Sequence, residues 1–297
     1  MSLFPASLNA RFTEWKLRRR EGRRVVPVVR LEGTIGRTGV GRSGMTLASV
    51  NGALERAFKV KDSAAVALVI NSPGGSPVQS SLIHKRIRQL ADKHDRKVYV
   101  FIEDVAASGG YYIAVAGDEI YADPSSIVGS IGVVWASFGF VGLLDKLGVE
   151  RRVHTAGDNK VTLDPFQPEK PEDIEHLKSI QLDVHETFKG VVRSRRGARI
   201  RLEDHEIFDG RFWTGGRALE LGLIDGIGDI YSVLAEKLGG EPKLKVIAGR
   251  QNWLTRRLGR IPGLAGTSAE LAALPSTISD QTVATLEDRA MWSRFGL

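Results

Sequence analysis

Two stretches of this chain follow one plan. "VALVINSPGGSPVQSSLI" (66–83) and "VYVFIEDVAASGGYYIAV" (98–115) each pass from an apolar segment through a polar turn to a glycine pair and then into a helical pattern. The two glycine pairs, beginning at Gly74 and Gly109, stand 35 residues apart. Strands that alternate with helices in this way pair in parallel through right-handed crossovers. Neighbouring parallel units bring both glycine turns to the carboxyl end of one sheet, where α/β folds bind their ligands. The repeat therefore points to an α/β fold in which both turns can face one cleft.

The rest of the sequence extends this alternation. Strand-like runs occur at "VVPVVRLEGTI" (25–35), "AAVALVIN" (64–71), "KVYVFIED" (97–104) and "RRVHTA" (151–156). Helical spacing links Leu47, Val50, Leu54 and Phe58, and then Ile83, Ile87, Leu90 and Ala91. A long amphipathic helix is marked by Ile174, Leu177, Gln181, Val184, Phe188 and Val191. From Ile127 to Leu144 no charge interrupts the sequence, which is about the minimum for a membrane span. Its glycines and serines favour a buried strand or loop followed by a core helix.

With no cysteine among 297 residues, disulfides, thiol catalysis and cysteine metal sites are excluded. Much of the net charge of +7 comes from two basic runs, 16–24 and 253–260. Only the short "VVPVV" follows the first, so neither a signal peptide nor a transmembrane anchor is evident and a cytoplasmic location is expected. The basic runs, with Phe12 and Trp15, leave peripheral contact with an anionic membrane open beside a plainly solvated role. They lack interleaved aromatics and a recognisable module, which speaks against nucleic acid as a partner. The domain division is a basic segment (1–24), a main domain (25–249) and a Gly-, Ser-, Thr- and Ala-rich extension (250–297), partly helical at best.

Ser108 opens the second glycine turn. As a preferred N-cap residue it can simply cap the following helix. The same position can also aim its hydroxyl into the cleft as a nucleophile, beside N–H groups able to hold an oxyanion. In "NSPGGS" (71–76), Gly74 and Gly75 can present further N–H groups with no side chain in the way, although a plain loop would read the same. A serine nucleophile needs a base. His84, His94, His176, His185 and His205 read as surface residues, and only His154 lies near an expected strand end. Lysine can serve when burial favours its uncharged form. Lys160, after the turn "AGDN" and before the apolar "VTL", stands apart from lysines flanked by other charges, yet spacing alone also allows a surface role.

Taken together, "INSPGGS", "ASGGYYIAVAGDEIYADPSSIVGSIGV", "GDNK" and "FDGRFWTGGRALELGLIDGIG" resemble the signal peptide peptidase A family of serine–lysine peptidases, in order and across residues 25–245. The resemblance implies an α/β fold, the ClpP/crotonase-like superhelix of repeated ββα units. It implies Ser108 as nucleophile, Lys160 as general base, Ser130 as the residue orienting that lysine, and Gly74, Gly75 and Gly109 as the oxyanion-hole turns. It further implies endopeptidase action on signal-peptide remnants or other extended hydrophobic peptides, without metal or cofactor. Relatives form homo-oligomeric rings or domes, some with the dyad shared between subunits. Many carry an N-terminal membrane anchor that is not evident here. A crotonase-type acyl-CoA enzyme would share the glycine turns but leave Ser108 and Lys160 unexplained, and a non-catalytic scaffold of the same fold is the other alternative.

Overall fold

The expected alternation is present in the computed structural model, which describes residues 25–36, 44–157, 159–248 and 289–297. Strands β1 (Val25–Glu32), β2 (Val66–Ser72) and β3 (Val98–Ala107) run parallel, with Val28 opposite Ala67 and Val66 opposite Val98. Helices α1 (Leu47–Phe58) and α2 (Pro77–His94) make the two crossovers. Both faces of β2 and β3 are covered. Val66, Leu68, Ile70, Val98, Val100 and Ile102 join the main core with α1 and α2, while Ala67, Val69, Tyr99 and Phe101 join a smaller cluster on the opposite face. Burial on both faces is why these strands read as unbroken apolar runs rather than alternating ones.

The ten-residue β3 serves two neighbours in succession. Tyr99–Ile102 pair with β4 (Glu119–Ala122), and Val105–Ala107 pair with β5 (Ile127–Gly129). The short helix α3 (Gly109–Ala114) lies between β3 and β4. Splitting its partners in this way winds the repeated units into the ClpP/crotonase-like superhelix and carries β5 to the end of β3. Downstream come α4 (Val141–Leu147), α5 (Pro171–Arg196), α6 (Asp204–Ile207) and β6 (Phe212–Thr214), antiparallel to β5. Helix α7 (Gly215–Glu220) precedes β7 (Gly226–Ile227), which pairs with β4; α8 (Ile230–Leu238) precedes β8 (Lys243–Val246), which pairs with β1.

A buried polar knot fixes α3. Tyr111, fully buried, donates to the Leu223 carbonyl at 2.7 Å. Arg196, 3% exposed, donates to the Gly222 carbonyl at 2.8 and 3.0 Å and to Asp225 at 2.7 Å. Asp225 in turn accepts from the Ile120 N–H at 2.8 Å. Burial and the neighbouring Asp225 carboxylate push the Tyr111 hydroxyl above its ordinary range, against the pull of Arg196. It therefore remains a donor.

Several expectations need correction. No strand forms at 151–156; the segment is exposed loop, so β-branched composition there finds no free sheet edge. The stretch after Ile127 does give a strand, but α4 has no buried residue and is not a core helix. His84 is no surface residue, because it lies on the α2 stripe formed by Ser80, Ile83 and Ile87 and is 8% exposed. His94 is half-buried, with its ring 6.5 Å from that of Phe58. The basic runs at 16–24 and 253–260, and most of the 250–297 extension, lie outside the described residues.

Candidate active site at the ends of β2 and β3

The turn after β2 is braced from both sides. Ser72 donates its hydroxyl to the Gly33 carbonyl at 2.7 Å and accepts the Gly74 N–H at 3.3 Å. Ile35 donates to the Gly74 carbonyl at 2.7 Å and accepts from Ser76 at 2.8 Å. Gly75, between these bonds, has φ +139°, and a Cβ there would run into the Ile35 carbonyl, so only glycine fits. Among the described residues its N–H donates to no backbone carbonyl.

Ser108 directly follows β3, at φ 51° and ψ −121°, a conformation that costs a non-glycine residue about 1–3 kcal/mol. Its N–H is held by the Gly129 carbonyl at 2.8 Å, and its own carbonyl accepts from Tyr112 at 3.0 Å. The side chain makes no capping hydrogen bond to α3. The capping alternative therefore fails, and the hydroxyl is left for the cleft. The two turns touch: a Cβ on Gly74 would lie 2.8 Å from the Ser108 Cβ and 2.9 Å from the Gly109 nitrogen. A Cβ on Gly109 would lie 3.3 Å from the Gly75 nitrogen. The backbone nitrogens of Gly75 and Gly109 thus lie close together beside Ser108, while the N–H of Gly74 is taken by Ser72. Gly74 contributes room for close approach.

Ser130 follows Gly129, the residue that holds the Ser108 N–H. It is buried, at φ 54°, with its N–H on the Arg211 carbonyl at 2.7 Å. Lys160 lies elsewhere. It is exposed on the loop after α4, its N–H bonded to the Gly157 carbonyl at 3.2 Å, and it does not line the cleft around Ser108. His154, on the same loop, is exposed as well. His185, expected at the surface, instead meets the Ile131 carbonyl at 3.1 Å.

The cleft has a volume of about 570 Å³. Val78 and Leu82 of α2 and Val184 and Phe188 of α5 line it, with the buried Tyr112 as its floor. Behind Tyr112 the His84 ring stands edge-on at 5.7 Å, and Phe188 packs on Tyr112 at 4.9 Å. Burial first, then the charges of Arg195, Arg88 and Lys85, push the His84 imidazole down to about 4. Among the described residues no group of three His, Asp or Glu side chains is arranged to hold a metal.

Sequence reasoning missed the bracing residues Ser72, Ile35, Tyr111 and Arg196. Ser72 stands inside a motif read for its glycines, and Arg196 stands in "VVRSRRGARI", where nothing separates it from its exposed neighbours.

The model of peptidase family S49 matches residues 91–240, a span that holds Ser108, Ser130 and Lys160. The chain belongs to peptidase family S49. Among S49 relatives, the Arabidopsis thaliana protein named "Serine protease SPPA, chloroplastic" is 32% identical over 227 residues, 75% of this chain and 33% of that protein. A Brucella melitensis protein named "Na(+)/H(+) antiporter NhaA" is 56% identical over 273 residues, covering 92% of this chain and 37% of that protein. The antiporter name belongs to that whole protein, of which the matched stretch is little more than a third; no helix among the residues described here is long and apolar enough to cross a membrane. The chain spans only about a third of the length of these two curated relatives. A mutant of a membrane-bound stomatin-specific protease superposes with TM-score 0.46 at 16% identity, covering 76% of this chain and 98% of that one.

Proposed function

We propose that this S49 chain is a serine endopeptidase that cleaves extended, hydrophobic peptides such as signal-peptide remnants, with Ser108 as nucleophile and Lys160 as general base. The reading is carried by one arrangement: a serine hydroxyl without a capping bond, on a strained backbone, beside the clustered backbone nitrogens of Gly75 and Gly109. The Ser108 oxygen attacks the scissile carbonyl carbon as its proton passes to the Lys160 amine. The two N–H groups hold the resulting oxyanion, whose charge they stabilise without reorganising. Lysine returns the proton to the departing amine; water then hydrolyses the acyl-enzyme, giving a proton to lysine, which passes it to the leaving Ser108 oxygen. The apolar walls supplied by Val78, Leu82, Val184 and Phe188 suit aliphatic side chains flanking the bond.

Lys160 reaches Ser108 through assembly in this proposal. The arm from 133 to 170 exposes Val134, Trp135 and Phe138, the last two at 60% and 79%. A second copy packing on that arm, in a ring or dome, covers these side chains and brings Lys160 into a water-poor cleft beside Ser130. Burial there favours the uncharged amine that a base requires.

A fluorophosphonate probe tests the reading on wild type, Ser108→Ala and Lys160→Ala. Ser108→Ala is expected to lose labelling completely and Lys160→Ala to slow it about 10²–10⁴-fold, with circular dichroism unchanged in both. Wild-type labelling in either variant overturns the assignment of that residue.

A further inference from the structure

The side of α2 that borders the cleft ends in a cation. Val78, Leu82 and Lys85 stand four and then three residues apart, so they share one side of the helix, and all three line the space beside Ser108. Arg86 and Arg88 on the same helix are paired, the first with Glu55 and the second with Asp92 and Asp118. Lys85 between them is exposed and pairs with no carboxylate among the described residues. From α5 the cleft takes Val184, Thr187 and Phe188, none of them charged. Arg294 is the other charged residue of the lining, and no Asp or Glu belongs to it. The cleft therefore carries charge of one sign only.

We infer that Lys85 is a specificity-determining residue of this cleft and receives a carboxylate of the bound peptide a few residues from the scissile bond. The inference rests on the peptidase reading of Ser108 and narrows its substrates to apolar peptides that bear a carboxylate. A Cβ on Gly109 would lie 2.4 Å from the Ser80 hydroxyl oxygen, which places Ser80 beside the proposed oxyanion donors. An α-helix rises about 1.5 Å per residue, so Lys85 stands roughly 7–8 Å farther along α2. An extended peptide advances about 3.3 Å per residue and covers that distance in about two or three residues. A lysine lays its methylene stem on apolar surface and keeps its ammonium in water, so one side chain suits both the wall made by Val78 and Leu82 and an incoming anion. Peptides offer that anion in two forms, an Asp or Glu side chain or the free carboxylate at the chain's end. A secretory signal sequence supplies the second: its positively charged start is repelled by Lys85 and Arg294, whereas cleavage from the mature protein leaves a new carboxylate just beyond its apolar part.

The test follows cleavage of short Ala–Leu peptides by the full chain at one protein concentration, with products read by mass spectrometry. One series is blocked at both ends and carries Glu or Gln at each position up to three residues on either side of the cut. The other ends two or three residues past the cut, in a free carboxylate or in an amide. Wild type is expected to favour the carboxylate member in kcat/KM by about two- to fivefold, the range of an exposed ion pair, and the series that shows the preference identifies the source of the anion. The ratio should fall towards one in Lys85→Met, reverse in Lys85→Glu, and shrink for wild type at high salt. Because each ratio compares two peptides on one protein, a general loss of activity in a variant does not imitate the effect. Equal rates for carboxylate and neutral partners in both series, or a preference undiminished in Lys85→Met, overturns the inference. If wild type neither cleaves a peptide nor takes up fluorophosphonate, the peptidase reading has failed, and the carboxylate site is judged separately by anisotropy of the same peptides, labelled with fluorescein, on the Ser108→Ala chain. Tighter binding of the carboxylate member that is lost on adding Lys85→Met upholds the site, and equal binding or none sinks it.

Discussion

Around Ser108 the chain packs against itself on every side, with Ser72, Gly74, Gly109, Gly110, Tyr111 and Tyr112 all buried. From 132 to 170, by contrast, no described residue is buried. The arm is nonetheless ordered on its own terms. Phe140 stacks on Phe166 at 5.4 Å, Arg151 lies over the Phe166 ring at 4.8 Å and pairs with Asp164, and the Phe140 N–H bonds the Pro165 carbonyl at 2.6 Å. It holds its own shape while leaving Trp135, Phe138 and Leu147 in water. Large apolar side chains left exposed in such number suggest a place where another surface belongs. The contrast teaches that the proposed nucleophile and its proposed oxyanion donors are organised by the fold, whereas the proposed base is carried on an element whose placement the fold alone does not set.

The sharpest way to break this comparison is to disturb the self-contained half without removing any functional group. Gly75→Ala adds one methyl that collides with the Ile35 carbonyl and displaces the backbone nitrogen proposed to serve the oxyanion. Peptidase activity should drop about 10²–10³-fold, the range seen when one oxyanion donor is lost. Near-wild-type kcat/KM in this variant would mean the turn has no part in stabilising charge. The arm should behave in the opposite manner. Trp135→Ser combined with Phe138→Ser is expected to leave the thermal midpoint of the core almost unchanged, since neither residue is buried. It should weaken self-association about tenfold or more and lower activity in step, as loss of exposed aromatic anchors does. Sedimentation velocity at several concentrations reads this effect; an unchanged mass distribution would sink the proposed role of the arm.

The same contrast explains how much could be read from the sequence. Strands β1, β2 and β3 were legible because burial on both faces writes unbroken apolar runs, and the glycine pairs marked the turns where side chains do not fit. The arm misled for a physical reason. An apolar helix whose partner is not its own core has the same composition as one that packs inward, so α4 was expected inside and lies outside. The run at 151–156 had β-branched residues but no sheet edge to join. His84 was judged by its polar type rather than by its spacing from Ile83 and Ile87, which places it on the buried stripe of α2. Ser108 itself was legible as a choice between cap and nucleophile, and only its backbone angles and missing capping bond decided against the cap.

His84 supplies the smallest and most specific test, because it links the buried region to the cleft floor through Tyr112. Its ring is buried, with Nε2 lacking any hydrogen-bond partner, and burial together with Arg195, Arg88 and Lys85 pushes it down to about 4 from the ordinary 6.5. A histidine whose folded-state value is depressed binds its proton more readily when unfolded. Its contribution is therefore fully present above about pH 6.5 and is lost as the pH falls towards about 4. By linkage, the loss between pH 7 and pH 4.5 is on the order of 2–3 kcal/mol. Phenylalanine at this position keeps an aromatic edge against Tyr112 and has no proton to gain. Urea unfolding of wild type and His84→Phe should therefore agree within about 1.5 kcal/mol at pH 7. At pH 4.5 the variant should have gained on the wild type by the linkage amount. Parallel stability curves for the two proteins across that interval would show that the imidazole is solvated after all, and would detach the cleft floor from the buried region it is argued to rest on.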